Sequence, residues 1–481
     1  MSQRELLAKR IGLVGITNLL VELNSVILLP VLTNNLSISE YGMWAEVMVT
    51  IGLIPAIALF GLPYSMVRFL APINDEDEIR EIFYDIAFII AISGLVASLF
   101  IFALAEPIAN ILFEGEIYVV RMLSLIVFVE CLTSIPLTYF RTIQQIKKYS
   151  VFILARVILR MMLVITFVLL GWGIYGAELG LLISSTAVFI CMAIFVIRDI
   201  GIIRPGFRNL REYFDFGMPT VPGNLSSWIV NSSDRYVIGL LLGTAAVGYY
   251  SPGYSLGSII YVLIVPVSFM LPVVLSKHFE KHEHQEVDAL LGLSMKYFLV
   301  LAIPSAFGLS LLSKPILMEL TTPEIALQGY QVTPFIAFSS IFFGAYAVVA
   351  QVIILHKKTM LTGGTWLVAA FLNLGLNFLL VPYIGILGAA ITALLAFCFA
   401  FLATKHYAGK YIEFHFDLVF MVKSILASSI MSILIISLNP MSISGLLFTV
   451  SLAALLYFLV MFFLKGITKA EIQFLRSLLQ I

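Results

Sequence analysis

Apolar runs long enough to cross a lipid bilayer recur along the whole chain. A spanning helix needs about 20 mostly apolar residues, and a window of that length finds fourteen candidates, centred at about residues 22, 54, 93, 129, 161, 186, 230, 264, 302, 341, 371, 395, 427 and 454. Only 12% of the residues are charged, against about a quarter in soluble domains. The sequence therefore predicts an all-α integral membrane protein with fourteen transmembrane helices.

The basic residues predict which side of the membrane each loop faces. Lysine and arginine concentrate in cytoplasmic loops, and an even number of spans places both termini on the same side. With the termini in the cytoplasm, 21 of the 28 basic residues fall in inner segments, two in outer loops and five within spans. We therefore expect a multi-pass protein of the cytoplasmic membrane with both termini inside.

Several classes of function are not expected. The formal net charge is zero, which gives no reason to expect a nucleic-acid partner. No Gly-x-x-x-x-Gly-Lys-Ser/Thr loop occurs, so we expect neither direct use of ATP nor a cofactor. The histidines at 278, 282 and 284 lie among charged residues and predict a solvated turn rather than a metal site. The outer loops are short and contain no histidine, so we do not expect an enzyme.

Short matches at a slowly increasing offset indicate an internal duplication. Tyr41-Gly-Met-Trp44 matches Val247-Gly-Tyr-Tyr250 at an offset of 206, and Gly173-Ile-Tyr-Gly-Ala177 matches Gly385-Ile-Leu-Gly-Ala389 at 212. Repeats that are six spans apart have the same orientation in the membrane. We predict four parts in chain order: a six-helix N-terminal lobe (1–200), a basic cytoplasmic linker (201–212), a six-helix C-terminal lobe (213–410), and two final helices with a cytoplasmic tail (411–481).

Three segments carry a resemblance to a known family. Phe216-Gly-Met-Pro-Thr-Val-Pro-Gly-Asn-Leu-Ser-Ser-Trp228, Asn231-Ser-Ser-Asp-Arg235 and Val247-Gly-Tyr-Tyr-Ser-Pro-Gly-Tyr254 resemble the central signature of polysaccharide-transport flippases. These are the Wzx-like proteins of O-antigen and teichoic acid export, in the multidrug/oligosaccharidyl-lipid/polysaccharide (MOP) exporter superfamily, which also contains the MATE exporters.

The resemblance implies both an architecture and a function. The expected fold has two six-helix lobes and two further C-terminal helices. The expected function is to move a polyprenyl-(pyro)phosphate-linked oligosaccharide across the cytoplasmic membrane by alternating access, for cell-surface polysaccharide biosynthesis. The expected partners are this lipid-linked substrate and the lipid bilayer, with polysaccharide assembly enzymes as further candidates.

A polar stripe on the predicted seventh helix suggests where the substrate binds. Asn224, Asn231 and Arg235 share one helical face, and Asn18 repeats the pattern in the first helix. Ionisable residues within spans usually face a bundle interior or a wet cavity, so we place the stripe on a cleft. A guanidinium there suits a phosphate, although snorkelling or an interhelix salt bridge explains Arg235 equally well. Asp234, about 100° round the helix, is expected not to pair with Arg235 but to bind a neighbouring helix or cap a backbone group.

Other arginines extend the predicted cationic cleft. Arg156 and Arg160 are spaced i, i+4 on the fifth predicted helix, which favours a shared anion or water over lipid. Arg156 alternatively anchors the helix at the interface. Arg68 and Arg141, at predicted inner ends of helices, are candidates for an inner gate or simply follow the cytoplasmic charge bias.

Acids and amides complete the set of candidate residues. The spans contain few carboxylates, at Glu22, Glu46, Glu130 and Glu178. Glu22 is the candidate for coupling transport to H⁺ or Na⁺, with a structural bridge as its alternative. The eleventh predicted helix carries amides at Asn373 and Asn377, which could bind sugar hydroxyls or another helix. The rival function is an H⁺- or Na⁺-coupled small-molecule or drug exporter of the MATE branch, which for cationic cargo would need an acid-rich cavity.

Overall fold

The computed structural model describes residues 26–73, 75–412 and 417–466, together with five separate positions before residue 26. Within these ranges the chain forms α-helices, one short 3-10 helix and turns, and no strand. It divides into two compact units. Unit 1 comprises Met1–Ser251 and Trp366–Ala389, and unit 2 comprises Pro252–Thr365 and Ala390–Ile481.

Unit 1 contains the first ten helices, the start of the eleventh and most of the sixteenth. Their bounds are α1 Val26–Asn35, α2 Ile38–Ala58, α3 Leu62–Leu70, α4 Glu76–Ala103, α5 Ala105–Leu112, α6 Ile117–Thr142, α7 Ile146–Leu169, α8 Gly173–Ile200, α9 Leu210–Gly217, α10 Val221–Leu242, α11 Thr244–Ser258 and α16 Thr359–Ile384.

Helix α6 is the centre of unit 1, packing against α4 on one side and α8 on the other. Helix α7 packs against α8, and α2 packs against α10. Local sequence sets several helix starts. Ser37 and Glu40 form a reciprocal capping box at the start of α2, and the Asp75 carboxylate accepts two backbone N–H groups at the start of α4, which satisfies donors that a helix start otherwise leaves free.

Unit 2 is built around one long helix. Helix α13 runs for 37 residues and packs against α15 and α18, while α18 also packs against α19. The core of unit 2 contains a large hydrophobic cluster in which Leu291, Phe298 and Val348 are buried, together with buried hydroxyls such as those of Ser313 and Ser424. The helices of unit 2 have the bounds α12 Tyr261–Glu280, α13 His284–Leu320, α14 Pro323–Gly329, α15 Val332–Leu355, α17 Ile386–Ala408, α18 Leu418–Leu438 and α19 Ile443–Phe463.

Eleven of the described helices are long and apolar enough to cross a membrane, and a bent pair makes a twelfth. The bent pair is Thr244–Ser258 with Tyr261–Ser268, which meet at 46°. Thirteen of the fourteen predicted span centres fall on described helices, and the centre at residue 22 lies outside the described residues. The multi-span helical fold is therefore confirmed, while the count of fourteen and the two-lobe layout stay predictions.

The basic segment predicted as a linker lies against α4 rather than running free. The Asp85 carboxylate accepts the backbone N–H groups of Gly206, at 2.8 Å, and Phe207, at 3.1 Å. The Tyr84 hydroxyl donates to the Gly201 carbonyl. In the following helix α9, burial, with Asp85 nearby, raises the pKa of Tyr213 to about 12, so this phenol stays neutral where it packs.

Candidate functional site

The first candidate site is a four-residue cluster shared by three helices of unit 1, here called the Glu130 cluster: Glu130, Arg156, Arg160 and Ser185. Glu130 on α6 accepts from Arg156 at 3.0 Å and from Arg160 at 3.5 Å, both on α7. The Ser185 hydroxyl on α8 donates to the same carboxylate at 2.7 Å. All four residues lie in the middle third of their helices, so the cluster is far from either helix end.

The Glu130 cluster has one more positive charge than negative charge. Its two arginines share a single carboxylate, and the Arg160 Nε atom is buried with no hydrogen-bond partner in the described part of the chain. The side chain of Arg160 is 12% exposed and that of Arg156 is 23% exposed. The expected shared anion is therefore present within the protein as Glu130, while contact with a substrate stays a prediction for both arginines.

The second candidate site lies on α10. Arg235 Nη1 is 3.3 Å from Asp234 Oδ1, and the Tyr250 hydroxyl on α11 donates to the other carboxylate oxygen. The Arg235 guanidinium also lies 5.8 Å from the centre of the Tyr250 ring, within cation–π range. The predicted bond from Asp234 to a neighbouring helix is confirmed by Tyr250.

The expectation that Asp234 and Arg235 do not pair is wrong. Asp234 Oδ1 accepts the backbone N–H of Arg235 at 2.9 Å, which turns the carboxylate towards its neighbour. The Arg235 side chain is directed back along the helix, with Nη1 3.4 Å from the Asn231 carbonyl oxygen. This path brings Nη1 next to the Asp234 carboxylate. The 100° separation describes where the side chains leave an ideal helix, and a long arginine stem is not bound by it.

The two amides predicted on the eleventh span form a buried pair in unit 1. Asn377 donates to the Asn373 side-chain oxygen at 3.1 Å, and the Ser233 hydroxyl of α10 donates to the same oxygen at 3.2 Å. Both asparagines are fully buried. These amides therefore link α16 to α10 in this structure, and their proposed role with sugar hydroxyls is an untested prediction.

The rest of the polar stripe on α10 faces α2 and α3. The Trp228 indole donates to the Val49 carbonyl at 3.2 Å, and the Tyr64 hydroxyl lies 3.4 Å from the Asn224 side-chain oxygen. The stripe therefore lies where α10 meets helices of the first predicted repeat, and its place on a substrate cleft stays a prediction.

The remaining predicted residues lie elsewhere. Arg68, in the last turn of α3, and Arg141, in the last turn of α6, are both exposed at their helix ends. Their role as an inner gate is not tested by this geometry. Asn18 and Glu22 lie outside the described residues.

Two carboxyl groups are buried without hydrogen-bond partners in the part of unit 1 that the structure describes. They belong to Glu46 on α2 and Glu178 on α8, each with an exposed fraction of zero. Uncompensated polar groups in apolar surroundings cost free energy, so such groups usually have a purpose. The sequence shows that they lie within spans but gives no sign that they lack partners.

Unit 2 contains an apolar cavity of about 390 Å³, which lies within the size range of ligand pockets. It is partly open and is lined mainly by side chains of α12, α13, α18 and α19, among them Leu263, Leu309, Met431 and Tyr457. A cavity of this lining can hold a hydrocarbon segment but offers little to a charged group.

Sequence reasoning did not identify three residues that organise the polar sites: Ser185, Ser233 and Tyr250. Each lies on a different helix from the ionic or amide group that it contacts. Tyr250 does belong to the duplicated element, which was a usable signal. Serines are too common in these helices for their positions to stand out.

Long apolar helices that bury ionic clusters at mid-span define a multi-pass membrane protein with charged groups in its interior. Among solved structures, the chain resembles "Lipid II flippase MurJ, inward closed conformation" with a TM-score of 0.78 at 17% identity, covering 94% of this chain and 98% of that one. It also resembles a multidrug resistance MATE family transporter of the MOP superfamily in an inward-facing conformation, with a TM-score of 0.67 at 13% identity, covering 83% and 98%. At these identities the likeness shows the fold.

The family itself is shown by sequence. Residues 31–322, more than half of the chain, match the family model described as "Polysaccharide biosynthesis protein", and the chain belongs to this family. It is also 23% identical over 214 residues to the "Probable low-salt glycan biosynthesis flippase Agl15" of Haloferax volcanii. That match spans 44% of this chain and less than half, 45%, of the relative. The resemblance to a polysaccharide protein family is thereby confirmed, and the structural likeness shows a MOP-like fold.

Proposed function

We propose that this protein is a flippase that moves a polyprenyl-(pyro)phosphate-linked oligosaccharide across the cytoplasmic membrane by alternating access, for cell-surface polysaccharide biosynthesis. The observation that carries the proposal is the surplus positive charge of the Glu130 cluster, in the middle third of its helices. Membership of the polysaccharide biosynthesis family supports it, as does the likeness to structures and relatives whose names contain the word flippase.

A lipid-linked sugar poses one electrostatic problem for a membrane protein. Its phosphate or diphosphate is an anion that has to pass through a medium in which ions are poorly solvated. Guanidinium groups suit this task because they stay charged and bind phosphate oxygens in a forked geometry. In the Glu130 cluster, the charge left over by the second arginine supplies such a group without adding a free cation to the core.

The other two parts of the cargo have matching environments. Buried amides such as Asn373 and Asn377 offer donors and acceptors of the kind that bind sugar hydroxyls. The apolar cavity of unit 2 suits part of a polyprenyl chain, because its lining is hydrocarbon and aromatic. Arg235 is proposed as a further phosphate contact, and Arg68 and Arg141 as an inner gate that first meets the anion.

Translocation in reconstituted vesicles tests the proposal. A polyprenyl-pyrophosphate oligosaccharide is placed in one leaflet, and its arrival in the other is followed with an added glycosidase. We expect Arg160→Gln to reduce transport strongly. The double variant Arg160→Gln/Glu130→Gln is the matched control, because it removes one charge of each sign and leaves no unpaired carboxylate.

The double variant separates a phosphate-binding role from a structural one. If Arg160 only neutralises Glu130, transport recovers when both charges are removed. If Arg160 binds phosphate, the double variant stays inactive while Glu130→Gln alone remains active. Absence of transport by the folded wild type with both phosphate- and pyrophosphate-linked carriers would reject the flippase.

A second candidate function is an H⁺- or Na⁺-coupled exporter of small molecules. It is favoured by the likeness to MATE transporter structures and by the two unpartnered carboxyls, Glu46 and Glu178. Efflux of a cationic dye driven by an imposed ion gradient would support it. The flippase predicts no such efflux, since the Glu130 cluster leaves surplus positive charge at the site.

Three further points belong to the proposal. We propose that the chain acts without covalent chemistry of its own and lies in the cytoplasmic membrane with both termini inside. We propose that enzymes of polysaccharide assembly hand over and receive its substrate.

A further inference from the structure

Helices α2 and α11 meet backbone to backbone at the ends where they begin. A Cβ atom on Gly42 would overlap the Thr244 carbonyl oxygen, and one on Gly248 would overlap the Ile38 carbonyl oxygen. Only glycine permits such an approach. We call this contact the α2–α11 seam and define it by Ile38, Gly42, Thr244 and Gly248.

The seam is reciprocal. Ile38 and Thr244 are related by the repeat offset of 206, and so are Gly42 and Gly248. The contact of Gly42 with Thr244 is therefore repeated as the contact of Gly248 with Ile38. This is the pattern of a two-fold contact between equivalent surfaces. The matched elements of the two predicted repeats thus touch each other, at the end of the bundle that the sequence predicts to be outer.

Polar bonds hold the edge of the seam. The Glu114 carboxylate, in the turn after α5, accepts from the Ser39 hydroxyl of α2 at 3.1 Å. The same carboxylate oxygen accepts from the hydroxyl of Thr244, the first residue of α11. One acid therefore fastens the beginnings of both helices.

Glu46 lies one turn along α2 from Gly42, directly behind the seam. Its carboxyl is fully buried against Gly239 on α10, where a Cβ atom added to the glycine would overlap Glu46 Oε1. Neither carboxyl oxygen has a hydrogen-bond partner in the described part of the chain. The titratable groups that interact with it there are Glu114, at the edge of the seam, and Tyr236 on α10.

These neighbours give a Glu46 charge no compensation. Glu114 is itself an acid, and the Tyr236 hydroxyl is engaged by Thr50 at 2.5 Å. A neutral carboxyl can pack in such a space, whereas a carboxylate there would lack both a counter-ion and water.

We propose that Glu46 is a proton-binding site that controls the α2–α11 seam. With the proton bound, the carboxyl packs behind the seam and the seam stays closed. When the proton leaves to water, the carboxylate requires hydration, and α2 and α11 separate at Gly42 and Gly248. The inference rests on the alternating-access part of the proposed function, because it assigns the group that links one gate to pH.

Spin-label distances across the seam test this directly. Labels are attached at Asn35→Cys and Leu242→Cys, the exposed last residues of α1 and α10, just before α2 and α11, after Cys131, Cys191 and Cys398 are replaced by serine. Distances between the labels are measured by double electron–electron resonance in lipid nanodiscs. From about pH 6 to about pH 8, we expect the ratio of long to short distances to rise by up to about tenfold per pH unit, the limit for one proton.

Two variants and a control fix the assignment. Glu46→Gln is expected to keep the short distance at every pH, because the amide cannot ionise. Gly248→Ala is expected to keep the long distance at every pH, because its methyl group wedges the seam. Glu106→Gln, at an exposed acid on α5, should follow the wild type.

A pH-independent wild-type distribution overturns the proposal, and so does a Glu46→Gln protein that still responds to pH. The measurement uses no glycolipid. If the seam responds to pH but the protein moves no lipid-linked sugar, the proton site is supported and the flippase function is rejected.

Discussion

The interiors of the two units handle polar groups in opposite ways. Unit 1 buries ionic side chains at mid-span, where Glu130 on α6 bridges to arginines on α7. Unit 2 has a large hydrophobic core, and many of its buried hydroxyls bond to their own helix, as Ser313 does to the Ser310 carbonyl at 3.0 Å. Hydroxyls that bond within a helix need no partner helix, whereas the ionic groups of unit 1 do.

This difference indicates where specific chemistry is concentrated. Burying charge in a membrane interior is unfavourable unless partners are in place. The core of unit 2, in the residues that the structure describes, shows that helices of this fold can pack without buried ion pairs. The proposed function gives the charges of unit 1 a role, the binding of an anionic cargo. The loss of stability when polar or packing groups are removed from each unit measures the size of this difference.

The largest effect is expected at Glu130. Glu130→Ala leaves Arg156 and Arg160 buried without an acid, and we expect a loss of about 3–5 kcal/mol in the free energy of unfolding. Denaturant titration in detergent micelles measures it, with Glu106→Ala at an exposed acid as the control. A loss no greater than that of the control would show that the cluster is hydrated, and the contrast with unit 2 would disappear.

At the second ionic site, Asp234→Asn should cost about 1.5–3 kcal/mol, the value of hydrogen bonds to a charged group. The amide keeps an acceptor for the Tyr250 hydroxyl but loses the charge that faces Arg235. Tyr250→Phe makes the opposite change and should cost less, since the ion pair remains. The same titration would contradict this ranking if Tyr250→Phe proved the more damaging variant.

Packing should dominate in unit 2. A Cβ on Gly344 of α15 would overlap the ring of the buried Phe298 on α13, so Gly344→Ala is expected to cost about 1–3 kcal/mol through overpacking. Gly292→Ala is the matched control, because no atom lies within 4 Å of the added methyl group. Equal thermal stability of the two variants would mean that the core of unit 2 is loose.

The smallest effect is expected for an interhelix hydrogen bond between neutral groups. Ser424 on α18 and Tyr457 on α19 are 2.9 Å apart, and Ser424→Ala should cost about 0.6 kcal/mol, typical of such bonds in membranes. Ser429→Ala, which removes an exposed hydroxyl bonded to its own helix, serves as the reference. A loss comparable to that of Glu130→Ala would remove the distinction between the two units.

The sequence predicts the fold well because membrane helices follow a strong and local signal. A run of apolar residues has few alternatives in a bilayer, and helices cover the predicted span centres that the structure describes. The break between α2 and α3 was not predicted. It occurs at Gly61, whose backbone has a φ of 69° and lies against Gly217, a contact far away in sequence.

The candidate sites were predicted only as far as their residue types allow. Charged residues within spans stand out in the sequence, so the arginines were found at once. Their partners were not, because the pairing of Arg160 with Glu130 depends on which helices are neighbours. The pairing of Asp234 with Arg235 was mispredicted because an ideal helix gives the direction of Cβ and not the reach of a long side chain.

The docking of the basic segment on α4 has a mechanical consequence. With Asp85 holding the amides of Gly206 and Phe207, and the Ser65 hydroxyl of α3 bonded to the Tyr213 carbonyl, the chain stays attached to the first helices as far as α9. Any change of angle between those helices and α10 must then be absorbed after Gly217. The 3-10 turn Met218–Thr220 occupies that position, and such turns between helices often serve as hinges. A bend between these helices and α10 is therefore expected in this three-residue turn and not in the basic segment before it.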